Sequence, residues 1–436
     1  MAKSKSPGKA KPVAAPPVPT NSLHSAALQS NQRHFAELKP VSDGPWTAND
    51  SSKFFNSKYY KAEGVTAIPA LRTANAVVSL ANIIGQEAVD TIASNKKTVF
   101  HAVGDTGAIT YAKYEDDEWP VAEVMAKEVE DPHVGNRAAF FFHLGDVIYE
   151  FGDDAEFYYE QFYEPYRNYN APIFAIPGNH DGMIHRPNET PLQPFLNNFC
   201  AATAGPSKDA NGLIRDTMTQ PGVYFTLEAP LVHIIGLYSN ILDSWPGGLI
   251  SNYQGKYPKV SNVQTAFLAG ELKRINALPA AQRGAIVIAV HHPPYGVGTK
   301  GGSPMLVDDL DKVFTQTGVW PDAVLSGHAH NYQRYTRNVN GREIPYVVAG
   351  CGGYNIKPMM SPPPNDTKSK VAANSHAFRY YAPATGYLKV SVTAGKLGIS
   401  FNSTDPSYGP GADTVVVDLV KHVIVSEGKG DPDGLV

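Results

Sequence analysis

A layered α/β fold is predicted from three features of this 436-residue chain. Short apolar runs of strand length alternate with amphipathic or aromatic stretches of helical length. Several of those runs end in Gly followed at once by Asp, Asn or His. The 38 glycines and 35 prolines, about one residue in six against about one in eight on average, imply long shaped loops between the elements.

Taken in chain order, residues 1–40 are rich in Ser, Ala, Pro, Lys and Gln, with Pro12, Pro16, Pro17 and Pro19 close together. They read as a flexible arm. Residues 41–96 read as an N-terminal extension packing on the main domain, with a helix over 73–94 that is apolar at Val77, Leu80, Ile83 and Ile84. That domain is expected over 97–425, before a tail at 426–436. Its predicted strands are 98–103, 138–144, 172–176, 223–228, 231–237, 285–290, 323–326 and 345–349. Helices are predicted at 119–130, 155–168, 191–201, 261–278 and 307–316. The closing strands 385–393, 396–402 and 413–419 have no helices between them, so they should be partly antiparallel.

Composition excludes some functions. Lys and Arg number 37 against 41 Asp and Glu, for a net charge of −4, and no basic run is sustained. Nucleic-acid binders need clustered cations for the phosphates, so no nucleic-acid partner is expected. The longest clean apolar run, AIVIAV at 285–290, is far too short to span a bilayer. Two cysteines, Cys200 and Cys351, rule out a disulfide scaffold or a Cys-type zinc site and leave a single bridge open. The start MAKSKSPGKAKP is positively charged but lacks the apolar stretch of a signal peptide. Location stays open: periplasmic or secreted if a signal has been removed, cytoplasmic otherwise. Oligomeric state is equally open.

The strand ends carry the chemistry. TVFHAV runs into Gly104-Asp105-Thr106-Gly107, and AAFFFHL into Gly145-Asp146-Val147-Ile148-Tyr149. PIFAIP runs into Gly178-Asn179-His180-Asp181, AIVIAV into His291-His292, and AVLS into Gly327-His328-Ala329-His330. In an open α/β sheet such carboxyl ends face one crevice. Asp105, Asp146, Tyr149, Asn179, His291, His328 and His330 are oxygen and nitrogen donors for hard or borderline ions. They are too many for one tetrahedral ion and suit two ions sharing a carboxylate. In an extended segment His328 and His330 would project to the same side and could serve the two ions.

This ordered set resembles the calcineurin-like metallophosphoesterases, and within them the purple acid phosphatases. That family's motifs GDxG, GDxxY, GNH[DE], VxxH and GHxH stand here as GDTG 104–107, GDVIY 145–149, GNHD 178–181, IAVH 288–291 and GHAH 327–330. The one departure is Ile288 for Val. The resemblance covers roughly 97–402 and implies a four-layer fold, two mixed β-sheets sandwiched together and flanked by helices. It implies site one from Asp105, Tyr149 and His330, site two from Asn179, His291 and His328, and Asp146 bridging both. Two anionic ligands at site one favour Fe(III) there, with Fe(II), Zn(II) or Mn(II) at site two. A free tyrosine ionises near pH 10, so it needs a strong Lewis acid to do so near neutrality. Gly107 stands where broader relatives carry a ligand histidine, and Tyr149 where they often carry Asp, which points to the purple branch.

The implied activity is hydrolysis of small-molecule phosphate monoesters by attack of metal-bound hydroxide, with an acidic or near-neutral optimum. His180 would bind the phosphoryl group or protonate the leaving oxygen, and Asp181 would orient His180. His292, which follows a ligand directly, reads equally as a catalytic, substrate-contacting residue or as a structural one, and His185 is a further candidate for substrate contact alongside Asn179. Arg186, Lys300, Arg379 and Tyr380 are candidate substrate contacts from the surrounding loops.

Plainer readings apply elsewhere. His101, His143 and His233 lie within apolar runs and read as hydrogen-bonded core residues. The aromatic run 157–169 reads as packing, and the cluster Glu115, Asp116, Asp117, Glu118 as solvated loop. The competing functions are a phosphodiesterase or nucleotide pyrophosphatase of the same superfamily without iron, and a non-catalytic binding scaffold on the same fold.

Overall fold

The run Ala285–Val290 is buried at every position, which only a strand covered on both faces tolerates. Its alternate residues Ile286, Ile288 and Val290 join Leu268, Leu272, Leu310 and Phe314 in one apolar cluster. One face of this strand therefore meets helices, and the other faces the interior of the molecule. The computed structural model describes residues 68–107, 115–149, 151–153, 155–184, 189–241, 248–258, 260–298 and 300–430.

The elements begin with β1 (Val77–Ser79), α1 (Ala81–Ile84), α2 (Gln86–Ser94), β2 (Thr98–Val103), α3 (Glu115–Val129) and β3 (Ala138–His143). A π-helical turn at Tyr159–Tyr163 precedes β4 (Ile173–Ala175), α4 (Asn179–Gly182), α5 (Gln193–Phe199), β5 (Phe225–Ala229) and β6 (Val232–Leu237). Next come α6 (Val263–Asn276), α7 (Ala280–Arg283), β7 (Ala285–Val290), α8 (Pro304–Thr317) and β8 (Ala323–Ser326). The chain then stays in strands: β9 (Tyr332–Val339), β10 (Arg342–Ala349), β11 (Ser375–Ala382) and β12 (Gly386–Val392). The last three are β13 (Lys396–Ser403), β14 (Asp413–Asp418) and β15 (Val423–Gly428).

These strands form two mixed sheets, ordered β1-β5-β6-β7-β8-β10-β9-β11 and β15-β14-β13-β12-β2-β3-β4. In the first, β6, β7, β8 and β10 run parallel, and β9 and β11 add antiparallel. In the second, β2, β3 and β4 run parallel, and β12 to β15 add antiparallel as expected from the closing sequence. Helices α6 and α8 cover the outer face of the first sheet, and α3 packs on β3 and β12 of the second. The result is an α/β/β/α sandwich, the layering that the resemblance implied.

The sheets are tied by a buried cation. Arg334 on β9 donates to both oxygens of Asp413 on β14, at 2.6 and 2.9 Å, and to Glu427 on β15 at 2.6 Å. Tyr332 donates to the same Asp413 at 2.8 Å.

Several expectations need correction. The segment 73–94 is not one helix: Val77–Ser79 pairs parallel with β5, and Gly85 at φ 85° separates α1 from α2. The acidic cluster is not a solvated loop, because Glu115 opens helix α3 and Glu118 is fully buried. The stretch 155–168 holds only a short irregular helical segment around its π-turn, although its aromatic rings pack inward as expected. The motif strands belong to two sheets rather than one open sheet, so their crevice lies between sheets. Cys200 and Cys351 are both buried free thiols. No described helix is long and apolar enough to cross a membrane.

Removing one partner of a buried ion pair leaves the other charge stranded. Arg334→Met should therefore lower unfolding free energy by about 3–5 kcal/mol in urea titrations. A loss below about 1 kcal/mol would mean this contact does not tie the sheets.

Candidate metal centre

Three of the five motifs leave their strands through turns whose backbone is strained. Asp105, Asp146 and His328 have φ values of 57°, 55° and 67°, a left-handed conformation that non-glycine residues adopt rarely. His328 and His330 therefore do not lie on an extended segment, as their spacing suggests. A left-handed turn separates them and sends their rings to different groups of donors.

The turns are packed too closely for larger residues. A Cβ on Gly178 would stand 2.1 Å from Asp146 Oδ1, and Gly145 combines φ 95° with a gap of 2.7 Å to Gly178 N. Buried polar groups lock the turns further. Asp181 Oδ1 accepts from Val147 N at 3.1 Å and Ile148 N at 3.4 Å, while its Oδ2 accepts from Gly178 N at 2.8 Å. Gln161 brackets Tyr149, accepting from its N–H at 2.7 Å and donating to its carbonyl at 2.6 Å. His143 Nδ1 accepts from Gly145 N at 3.1 Å, so its Nε2 carries the proton toward Thr106 Oγ1 at 2.9 Å.

All seven predicted donors converge. Asp105, Asp146, Tyr149 and His291 are fully buried, and Asn179 and His330 nearly so. The Tyr149 hydroxyl lies 3.1 Å from Asp105 Oδ1 and 2.9 Å from Asp146 Oδ2. His330 Nε2 lies 3.3 Å from Asp105 Oδ1. On the other side, Asn179 Oδ1 is 3.2 Å from His291 Nε2 and 2.9 Å from His328 Nδ1, and those two ring nitrogens are 3.3 Å apart. His291 Nε2 is also 3.3 Å from Asp146 Oδ2. The donor atoms of Asp146, His291 and His328 all lie within 4.8 Å of one another.

These contacts fit cations better than they fit each other. Donors held about 2.1 Å from one ion sit about 3–3.4 Å apart. His291 Nδ1 faces the Leu144 carbonyl at 2.9 Å and His330 Nδ1 faces the Asn355 carbonyl at 3.3 Å. Those carbonyls place the protons on Nδ1 and turn the Nε2 lone pairs toward the carboxylates, the usual outer-shell arrangement of ligand histidines. Among the described residues the buried His330 Nε2 makes no well-formed hydrogen bond, with Asp105 Oδ1 3.3 Å away. Burial first, then the nearby Lys300 charge, lowers its pKa to about 4, so the ring is neutral. At His291 burial lowers the pKa, but the Asp146 charge and hydrogen bond outweigh it and raise it to about 9. The site therefore calls for positive charge at that position.

The remaining candidates divide. The His180 ring stacks at a tilt on Tyr149 with centroids 4.3 Å apart, and the His180 backbone N–H donates to Asp146 Oδ1 at 2.8 Å. His292 donates its N–H to Ser239 Oγ at 3.1 Å, and its Nδ1 meets that oxygen at 3.0 Å. Its ring lies 4.3 Å from that of His328. Asp181 accepts from the motif backbone, so its carboxylate braces turns beyond the orienting role expected of it. Arg379 is committed elsewhere: it donates to Thr336 Oγ1 and to the carbonyls of Asp366 and Ser369. Tyr380 packs edge-on against Tyr332, 6.1 Å away. His185 and Arg186 lie outside the described residues. His101 bonds Tyr169 and Glu128, and His233 the Gln282 carbonyl, as core histidines.

Sequence reasoning missed Tyr354. Its ring stacks on Tyr149 at 3.6 Å with 9° between planes, and its N–H donates to the Asp105 carbonyl at 3.0 Å. The signal was present, since Gly350-Cys351-Gly352-Gly353-Tyr354 comes after β10 as the other glycine turns come after their strands.

Fold and site together define a phosphoester hydrolase whose centre is built for metal ions. Residues 98–332 match the family model described as calcineurin-like phosphoesterase, and the chain belongs to that family. It is similar to tartrate-resistant acid phosphatase type 5 of Mus musculus, at 27% identity over 267 residues, 58% of this chain and 72% of the mouse protein. The Rattus norvegicus enzyme of that name is 27% identical over 268 residues, with the same shares of each chain. Among solved structures, the purple acid phosphatase PPD1 from yellow lupin seeds matches with a TM-score of 0.49 and 13% identity, over 75% of this chain and 55% of the lupin one.

Gly178→Ala should push the Asp146 carboxylate aside and lower bound metal, measured by elemental analysis after dialysis, while circular dichroism stays that of a folded protein. Full occupancy in that variant would remove Asp146 from the donor set.

Burial lowers the His143 pKa to about 3, so the fold holds this ring neutral while the unfolded chain protonates it near 6.5. Its stabilisation is complete above pH 6.5 and is lost as pH falls toward 3. In metal-free protein, unfolding free energy should drop by roughly 1.4 kcal/mol per pH unit from this group across that window. His143→Gln should flatten the slope by that one proton.

Proposed function

We propose that this chain is a dinuclear, metal-dependent phosphomonoesterase of the purple acid phosphatase type. One observation carries the reading: Asp146 Oδ2 stands between the Tyr149 hydroxyl at 2.9 Å and His291 Nε2 at 3.3 Å, with donors converging on both sides. Asp105, Tyr149 and His330 would hold Fe(III), and Asn179, His291 and His328 would hold Fe(II), Zn(II) or Mn(II). Asp146 would serve both. The catalytic unit would span 97–425, with 41–96 packed on it. The similarity to acid phosphatases, at modest identity, supports the reading.

Two cations supplied there would bind the phosphate and lower the pKa of a water molecule. The protein's own part is to position and to move protons. His180, its ring held over Tyr149 and its backbone N–H anchored on Asp146, would meet a phosphoryl oxygen or protonate the leaving oxygen. His292, whose Nδ1 meets Ser239 Oγ, would offer its Nε2 to substrate on the His328 side. Asp181 is a positioning residue that holds the GDVIY and GNHD turns in register.

Metal analysis with a visible spectrum tests the centre: with iron bound, a Tyr149 charge-transfer band should colour the protein violet or pink, and Tyr149→Phe should abolish it. Colourless protein at full iron occupancy would contradict the ligand assignment. Rates on mono- and diester substrates across pH separate the phosphatase from a diesterase. His180→Ala should retain both metals and lose about 10²–10⁴-fold in kcat on p-nitrophenyl phosphate, the range of a lost general acid.

A further inference from the structure

A cavity of about 460 Å³ lies at the opposite ends of two strands that carry donors. Gly284 and Ile286, at the start of β7, and Asp322, just before β8, line it. β7 runs on to His291 at its other end, about 20 Å away by strand rise. Both sheets contribute to the wall. Arg342 opens β10 of the first, while Ala394 comes from the β12–β13 turn and Leu419, Val420 and His422 from the β14–β15 turn of the second.

The charged groups of the wall do not balance. Two guanidinium groups, Arg283 and Arg342, stand against one carboxylate, Asp322. That carboxylate is already engaged: Oδ2 accepts from Ile286 N at 3.0 Å, and Oδ1 lies 3.0 Å from His422 Nδ1. Arg342 uses Nη2 for its contacts, to His422 Nδ1 at 2.8 Å, the Trp320 carbonyl at 3.4 Å and Asp322 Oδ1 at 3.5 Å. Its Nε is buried with no partner among the described residues. Burial lowers the Arg342 pKa and the Asp322 charge only partly offsets it, whereas the partners of Arg334 and Arg337 outweigh burial. His422 is held at φ 56°, in the left-handed region. Arg283 is exposed, with Nε donating to the Leu278 carbonyl at 2.9 Å. Much of the remaining wall is apolar, including Leu231, Ile275, Val319 and the Trp320 side chain.

From this cluster we infer that the cavity is a binding site for an organic monoanion, a carboxylate carried on an apolar body. One excess positive charge matches a single negative one, and the flat guanidinium fork pairs with a carboxylate. The apolar wall takes the rest of the ligand, and the volume is that of a small-molecule site. A ligand seated there would touch both sheets and tie them together at the end far from the metal centre. The site is independent of the phosphatase reading.

The test titrates the full-length protein with cyclohexylacetate, with cyclohexylethanol, which has the body without the charge, and with acetate, which has the charge without the body. Calorimetry and tryptophan emission follow binding. Cyclohexylacetate should bind saturably, with a Kd of about 1 mM or tighter, and change an emission signal that Trp320→Phe abolishes. The alcohol and acetate should each bind about tenfold more weakly or worse. Arg342→Met should weaken cyclohexylacetate about tenfold, and the exposed change Arg283→Met should weaken it about threefold or more while the protein stays folded. Cyclohexylacetate should also raise the Tm of wild type but not of Arg342→Met. Three results would overturn the site: no saturable binding by about 10 mM, equal affinity for the acid and the alcohol, or binding that both arginine variants leave within about twofold of wild type. An emission change that survives Trp320→Phe would overturn it as well.

Discussion

Two carboxylates, Asp105 and Asp146, are wholly removed from solvent at the place where the two sheets meet their loops. Burial pushes their pKa values up, but the surrounding histidines outweigh it and hold both below the ordinary carboxylate range. Buried charge of this kind persists only where positive charge compensates it. The seven donors, the left-handed turns that aim them and the glycines that let the turns touch all derive from that requirement. Strained backbone costs on the order of 1–3 kcal/mol per residue and survives only where the surroundings over-determine it. Here Asp181, Gln161 and His143 do so, each bonding the backbone of a motif turn rather than lying among the donors.

The centre is also a junction between sheets. β2, β3 and β4 deliver Asp105, Asp146, Tyr149 and Asn179 from one, while β7 and β8 deliver His291, His328 and His330 from the other. Donor spacing thus depends on how the sheets are seated. The Arg334 contacts to Asp413 and Glu427 fix that seating from within the sandwich. The N–H of His328 adds a direct link by donating to Asp105 Oδ2 at 2.7 Å. A shift of one sheet against the other would therefore be felt at once by the donor set.

The parts legible in the sequence were those whose signal is local. An apolar run followed by glycine and a polar residue marks a strand end wherever it occurs, and the donors could be picked out on that basis. What was illegible depends on distant partners. Tyr332–Val339 reads as polar because Arg334 and Gln333 are spent on Asp413 and on the Val297 backbone, contacts that no window of sequence contains. Ser375–Ala382 hides similarly behind Arg379, whose guanidinium caps loop carbonyls. Val77–Ser79 has three residues inside a helical pattern, and only β5 makes it a strand. Glu118 looks solvated until the packing of α3 is known.

Tyr149 gives the two halves of the centre their different characters. Burial first, then the charges of Asp105 and Asp146, hold its phenol well above the usual range. Ionising it would add a third negative charge to that half, and only a strongly charged cation close by could offset the cost. The ring cannot turn away from this conflict, since Tyr354 lies flat against it and His180 leans on it. The opposite half, with Asn179, His291 and His328, makes no such demand, because its own donors are neutral when their lone pairs are offered. A centre of this kind would sort its ions by charge more than by size. What holds the Tyr149 ring in place is a stacked aromatic pair whose second member, Tyr354, is itself no donor.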